Sequence, residues 1–435
     1  MRHIIHLSVP VTGQLKAQIL NWADTHFHTA AYFDNNHYSD YAYHTYEALI
    51  ACGSRNSLCL QAGNAFARLQ SFYAEHNDWL IGFLAYDLKN EIEHLSSSHT
   101  DVLGFPDLFF FQPEWIIELK EQQLIIHAPD AESARQFAEF IAMPVPEIHP
   151  IGFMPQLIPR ITREHYLQIA EAILSHIRRG DIYEINFCQE FYAEDVNINP
   201  ITIFRLLNAE CRAPFSAYVK CGDKYVISAS PERFLKKTAD RLVSMPMKGT
   251  APRGFCEDED VQRAVSLKTS AKERSENVMI VDLVRNDLSK SCQPGSVQVE
   301  ELCGIKTFPG LHQMVSTISG KLNPKVHFTE AIRNAFPMGS MTGAPKVKAM
   351  ELIERYEWTR RGLYSGSLGY ITPEGDFDFN VVIRTLLYNS ANRYLSYHTG
   401  SAITADSDPE QEYHECLLKA QALTRLVAFP FHSVA

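Results

Sequence analysis

Groups of strands mixed with long helices, without regular β–α alternation, predict an α+β fold. Its large antiparallel β-sheets pack face to face with helices outside. Two observations carry this. Apolar runs recur in pairs joined by turn signals, as where 216–220 and 225–229 flank Gly222-Asp223. Helical periodicity is confined to separated stretches, chiefly 163–179, 258–289 and 409–427. No self-similarity at a period of ~20–50 residues is visible, which argues against a solenoid or propeller.

In chain order, 79–86 and 108–111 read as buried strands, and 115–119 with 123–127 as a hairpin. Pro144, Pro146, Pro150, Pro155 and Pro159 crowd one segment. They remove donors and block helix, so 144–159 reads as a crossing between an N-terminal region, 1–150, and a second region, 160–427. Tyr166, Ile169, Ala170, Ile173, Leu174 and Ile177 fall at helical spacing, with Gly180 as the stop. Stretch 182–191 alternates, with Tyr183, Ile185 and Phe187 on one face and Glu184, Asn186 and Cys188 on the other. A second two-strand unit spans 234–247, and Pro345 sits where a helix starts.

Composition narrows the function classes. The chain has 435 residues, enough to bury a sizeable core, and a net charge of −11 without a long basic run. That gives no footprint for nucleic acid or an anionic membrane. No apolar run approaches the ~20 residues of a membrane span, and the N-terminus lacks a secretory pattern. Nine scattered cysteines without a C-x-x-C pair read as reduced thiols, so a cytoplasmic protein is expected. Signatures for P-loop nucleotide binding, zinc proteolysis, serine hydrolysis and dinucleotide binding are absent.

The chemistry-bearing residues are few. Glu232 lies in a Pro turn between two apolar strands, and Lys248 follows sixteen residues on in a turn-rich run. They are either solvated loop charges or a general acid and an amine nucleophile. Glu273 and Glu276 stand one helical turn apart, Glu276 beside Ile280 and Leu283; Glu412, Glu415 and Lys419 share a stripe of the last helix. Glu415–Lys419 is an ordinary i,i+4 pair on spacing alone, whereas two helices bearing inward carboxylates suit Mg²⁺. Small residues at 337–346 and 399–402 are packing turns or close-approach backbone for an anion.

Taken in order, GDIYEIN at 180–186, SPERF at 230–234, PMKGTAPRG at 246–254, SENVMIVDLVRNDL at 275–288, GSMTGAPK at 339–346 and ADSDPEQEYHE at 405–415 resemble the chorismate-utilising enzymes. That family includes anthranilate, aminodeoxychorismate, isochorismate and salicylate synthases. The motifs cover about 160–425, and residues 1–150 resemble the family's more variable N-terminal part. The resemblance implies the anthranilate synthase component I type of fold. Lys248 resembles the aminodeoxychorismate synthase branch, since anthranilate synthases tend to show Ala there. It implies amination of chorismate to 4-amino-4-deoxychorismate for 4-aminobenzoate and folate synthesis, with Lys248 attacking the ring and Glu232 protonating the departing hydroxyl. The resemblance also implies that Gln313 and Ser340 join the catalytic set, that Tyr364, Arg384, Gly400, Ser401 and Lys419 bind substrate carboxylate, and that Glu276 and Glu415, with Glu412 through water, hold Mg²⁺. Attack needs a neutral amine, so burial is expected to lower the Lys248 pKa.

Two departures from the family pattern stand out. Gln313 occupies a position where relatives usually carry His, and His312 points to the opposite strand face. Glu184 stands where water-adding relatives place Lys and ammonia-using relatives usually Gln, so water addition at C2 is not expected. An anion there is available to hold ammonium or orient ammonia. No cysteine sits in an amidotransferase G-x-C-x-G elbow, so ammonia is expected from a separate glutamine amidotransferase subunit or free ammonium. The rival readings are an anthranilate synthase component I and a non-catalytic chorismate-binding protein.

Overall fold

The computed structural model describes residues 2–38, 43–120, 122–143 and 155–427, with side chains as far as Ala420. Of the proline crossing, Pro144, Pro146 and Pro150 lie outside the described residues.

The described strands all pair antiparallel and form two sheets that diverge at one long strand, Leu108–Lys120. Its whole length pairs with Ala48–Leu60 on one side. On the other side its first half pairs with Leu80–Leu84 and its second half with Gln123–Ala128. One sheet continues from Ala48–Leu60 through Thr29–Asp34, Phe215–Cys221, Lys224–Ser230, Thr385–Asn389 and Tyr394–Ile403 to Glu184–Ala193. The other runs from Leu80–Leu84 through Ser367–Ile371, Phe377–Val381, Arg233–Thr238 and Arg241–Met245 to Leu311–Lys321. Met247–Pro252 and Gln298–Thr307 also pair with that last strand. Strands from before the proline crossing thus pair with strands from after it in both sheets.

The period-2 alternation sorts side chains between two cores. Ala31, Leu49, Ala51, Ile116, Val219, Val226 and Leu387 face the interior between the sheets, against Phe83, Leu235, Leu368 and Phe379. Their neighbours Ala30, Tyr32, Ala48, Ile50, Ile117, Tyr218, Ile227 and Leu386 face outward. There the helices Gly13–His26, Ala131–Ala142 and Pro200–Cys211 cover them with Ile19, Leu20, Phe137, Phe204 and Leu207. A one-residue slip in any of these strands would exchange the two cores. A third cluster packs the helices Arg163–Arg178, Lys346–Tyr356 and Pro409–Val427 over Ile185 and Phe187.

The expected helix at 258–289 is two helices, Glu257–Thr269 and Ala271–Ser289. Ser270 leaves helical geometry and its hydroxyl accepts from the Glu273 N–H, capping the second helix. No helix among the described residues is long and apolar enough to cross a membrane.

Candidate active site

Residues from widely separated stretches of the chain come together around Lys248, where the strand Glu184–Ala193 begins. Its start is pinned by the short strand Gly343–Ala344, which pairs with Ile185 and Glu184. A Cβ on Gly343 would lie 2.2 Å from the Glu184 carbonyl oxygen, so this approach requires glycine. The 337–346 segment therefore packs against a strand, and it presents Ser340 to the site. Lys248 sits in the strand Met247–Pro252 at a register shift between Met247 and Thr250. This irregularity re-aims the lysine out of the ladder, and Gly249, at φ +87°, turns the chain beneath Glu273.

The Lys248 Nζ donates to Glu184 Oε1 at 2.5 Å, with both side chains buried. Burial by itself pushes the ammonium pKa down, but Glu184, Glu276 and Glu232 push it up, and the net shift is upward. This corrects the expectation of a lowered Lys248 pKa: attraction to the neighbouring carboxylates exceeds the desolvation penalty, and the resting group is an ammonium.

Glu232 behaves differently. It is buried, and Ser340 Oγ donates to its Oε1 at 2.6 Å. Desolvation dominates and moves its pKa to about 7, against the opposing pull of Ser340, Lys248 and Arg384. Two carboxyl groups near one lysine thus differ in role: Glu184 is its ion-pair partner and Glu232 is poised near neutrality.

Glu276 is buried on the helix Ala271–Ser289, and its Oε1 has no hydrogen-bond partner. Burial, opposed by Lys248 and aided by Glu184 and Glu273, moves its pKa to about 7. Glu415 is paired with Lys419 at 2.7 Å, and the Lys419 Nζ also donates to the Gly400 carbonyl at 2.9 Å. The pair is therefore more than a surface i,i+4 contact, because it ties the last helix to the strand Tyr394–Ile403. Glu412 is turned into its own turn, accepting from Ser407 at 2.7 Å, with Lys272 Nζ 3.6 Å away. Among the described residues no three His, Cys, Asp or Glu are grouped closely enough to hold a metal by themselves. Mg²⁺ takes few protein oxygens and keeps waters, so the orphaned Glu276 oxygen with Glu415 fits that ion. Glu412, expected to reach the ion through water, is held by Ser407, as Glu415 is held by Lys419.

Gln313 and Arg384 are joined: Gln313 Oε1 accepts from Arg384 Nη2 at 3.4 Å, while its Nε2 donates to the Gly249 carbonyl and to Thr250 Oγ1, each at 3.1 Å. His312 points the other way, to Asp260 at 2.9 Å and Thr307 at 2.9 Å. No hydrogen bond or ion pair joins Tyr364 to Arg384. The Tyr364 hydroxyl lies 3.3 Å from Cys188 Sγ and its ring stacks on His398 at 4.9 Å. Tyr397 is the tyrosine whose hydroxyl acts electrostatically on Arg384, and it donates to the Lys419 carbonyl at 3.1 Å. Gly400 lies against Phe187 and Cys188 of the next strand, while Ser401 Oγ is turned away, 3.2 Å from the Tyr166 hydroxyl. Sequence reasoning missed Tyr397, readable as an alternate position of 394–403, and Lys272, which stands i,i+4 to Glu276.

This arrangement offers a buried ammonium in contact with a carboxylate, an acid poised near neutrality, a buried Glu276 carboxylate with one orphaned oxygen and an Arg fork bonded to Gln313. Comparison with known proteins agrees with it. The model of the chorismate binding enzyme family matches residues 35–425. An anthranilate synthase component 1 of Thermus thermophilus is 34% identical over 358 residues, 80% of this chain and 77% of that one. An aminodeoxychorismate synthase component 1 of Klebsiella aerogenes is 35% identical over 345 residues, 79% of this chain and 76% of that one. The crystal structure of anthranilate synthase component I from Streptococcus pneumoniae superposes with a TM-score of 0.78 at 26% identity, covering 87% of this chain and 92% of that one. The chain belongs to the chorismate binding enzyme family.

Proposed function

We propose that this chain is the synthase component that aminates chorismate at C4, giving 4-amino-4-deoxychorismate. The observation that carries this reading is Lys248 itself, whose amine is buried among Glu184, Glu232 and Glu276 rather than solvated. A bystander lysine has no reason to bear that desolvation cost. The relatives named aminodeoxychorismate synthase component 1 support it, and "component 1" supports a separate second component supplying ammonia, a glutamine amidotransferase.

Chorismate is a dianion with an allylic hydroxyl at C4. Glu232, with a pKa of about 7, donates a proton to that hydroxyl as it leaves. The Lys248 amine adds at C2 as the hydroxyl leaves C4, with both ring double bonds shifting between those two carbons. Ammonia then adds at C4 and expels the lysine, so the amino group ends where the hydroxyl was. Arg384, oriented through Gln313, offers its fork to the enolpyruvyl carboxylate; Gln313 orients and does not shuttle protons. Lys419 and the backbone at Gly400 border the same pocket. Glu276 and Glu415 would hold Mg²⁺, which when bound neutralises the ring carboxylate.

The test is the mass of the product formed from chorismate, Mg²⁺ and an ammonium salt, with Lys248→Ala alongside. The expected product keeps the enolpyruvyl group, carries an amine for a hydroxyl and is lost in the variant. Anthranilate with pyruvate would overturn the reading in favour of the second one, which the Thermus relative supports. Binding without turnover would leave a non-catalytic chorismate-binding protein.

A further inference from the structure

We propose that Glu184 is the base that takes the proton from the Lys248 ammonium before attack and returns it when the lysine is expelled. The inference rests on the C4-amination reading above. Its ground is geometric. Glu184 Oε1 is 2.5 Å from the Lys248 Nζ, nearer than any other acceptor of that amine, and the carboxylate is 1% exposed. The second oxygen, Oε2, is buried without a partner, so the carboxyl has room to carry a proton without breaking another bond. Its position is held by backbone pairing to Gly343–Ala344, independent of the lysine.

The other charges around the amine have different duties. Glu232 is bonded to Ser340 and serves the C4 hydroxyl. Glu273, Glu276 and Glu415 act on Lys248 only through space, and no hydrogen bond or ion pair joins any of them to it. With those groups raising the lysine pKa, a neutral amine at neutral pH requires a local acceptor.

The protons balance. Lys248 passes one proton to Glu184 and attacks C2 as a neutral amine, while Glu232 gives its proton to the departing hydroxyl, which leaves as water. The adduct is a secondary ammonium. Ammonia bonds to C4, the C2–N bond breaks, and the lysine leaves with the bonding pair as a neutral amine. It recovers its proton from Glu184, and the product ammonium returns one to Glu232. The sum is chorismate plus ammonia to aminodeoxychorismate plus water. With the acceptor in contact with the amine, attack does not depend on losing a proton to solvent.

The experiment compares kcat/KM against pH for the full chain and its Glu184→Gln variant, with ammonium salt as amine donor and product identified by mass. The ratio of variant to wild type removes the limbs both share. It is expected to fall about tenfold per pH unit below the lysine's pKa and to recover at high pH, with a deficit of tenfold or more at pH 7. Glu184→Asp keeps a carboxylate and should be slower with a flat ratio, which guards against a Gln variant that fails to fold. A flat ratio for Glu184→Gln, or an acid limb in Glu184→Asp, overturns the proposal and leaves C4 amination standing. Anthranilate as the wild-type product overturns both.

Discussion

Glu276→Gln is expected to stabilise the ligand-free protein at pH 8 and not at pH 5. The wild-type carboxyl is 7% exposed, one oxygen has no partner, and its pKa is about 7 against an ordinary 4.5. Between those values the folded state holds a proton that the unfolded chain has lost, so stability falls as pH rises through that window. A difference of about 2.5 units corresponds to about 3 kcal/mol when fully developed. Gln has the same shape and no charge, and its unpartnered amide costs ~1 kcal/mol at either pH. The net expectation is a gain of about 2 kcal/mol at pH 8 and none at pH 5. Urea unfolding with a chelator present reads both, as a shift in midpoint at constant m. A difference between variant and wild type that is the same at the two pH values would refute the claim that this carboxylate is strained by its burial. The same variant should lose turnover, because the strained oxygen is the one proposed to meet the cation.

Two further outcomes follow from contacts in the site. Ser340→Ala removes a 2.6 Å bond that favours ionised Glu232, worth ~1.5 kcal/mol, so the basic limb of the kcat/KM profile should move up by about one pH unit; a limb that does not move would show that Glu232 is not the acid. Gly400→Ala places a Cβ 2.3 Å from the Phe187 carbonyl and 2.5 Å from Cys188 Sγ, so it must push a pair of bonded strands apart at a cost of ~1–3 kcal/mol, read as a lower urea midpoint.

The local pattern was legible where the physics is local. Alternation in 182–191 identifies a strand and separates Glu184 from Ile185, and the strand period alone explains why His312 faces Asp260 while Gln313 faces Arg384. The break at Ser270 was legible too, since Ser270 and Glu273 form an S-x-x-E start signal, but apolar periodicity masked it. The division of Leu108–Lys120 between two sheets was not, because it depends on pairings with Leu80–Leu84 and Gln123–Ala128 that no local pattern encodes. The sign of the Lys248 shift failed for the same reason. Burial is a property of one residue, whereas its 2.5 Å partner lies 64 residues away, brought in by the fold.

That partner matters to the charge of the whole pocket. Glu184, Glu232, Glu273, Glu276, Glu412 and Glu415 surround it, with Lys248, Lys272, Lys419 and Arg384 as the cations. Fully ionised, six carboxylates exceed four cations, so a dianionic substrate meets a field of its own sign. Two features ease this. Glu232 and Glu276 are each close to half-protonated near pH 7, which removes about one negative charge between them. The unpartnered oxygen of Glu276 offers a place for a divalent cation, whose two charges would offset the remaining excess. On the proposed function, carboxylates kept underpaired, at the cost in stability that Glu276→Gln measures, would favour binding substrate and cation together over either alone. Glu184 is the carboxylate in contact with Lys248, and the field it strengthens is the one that keeps the lysine protonated until that same carboxylate accepts the proton.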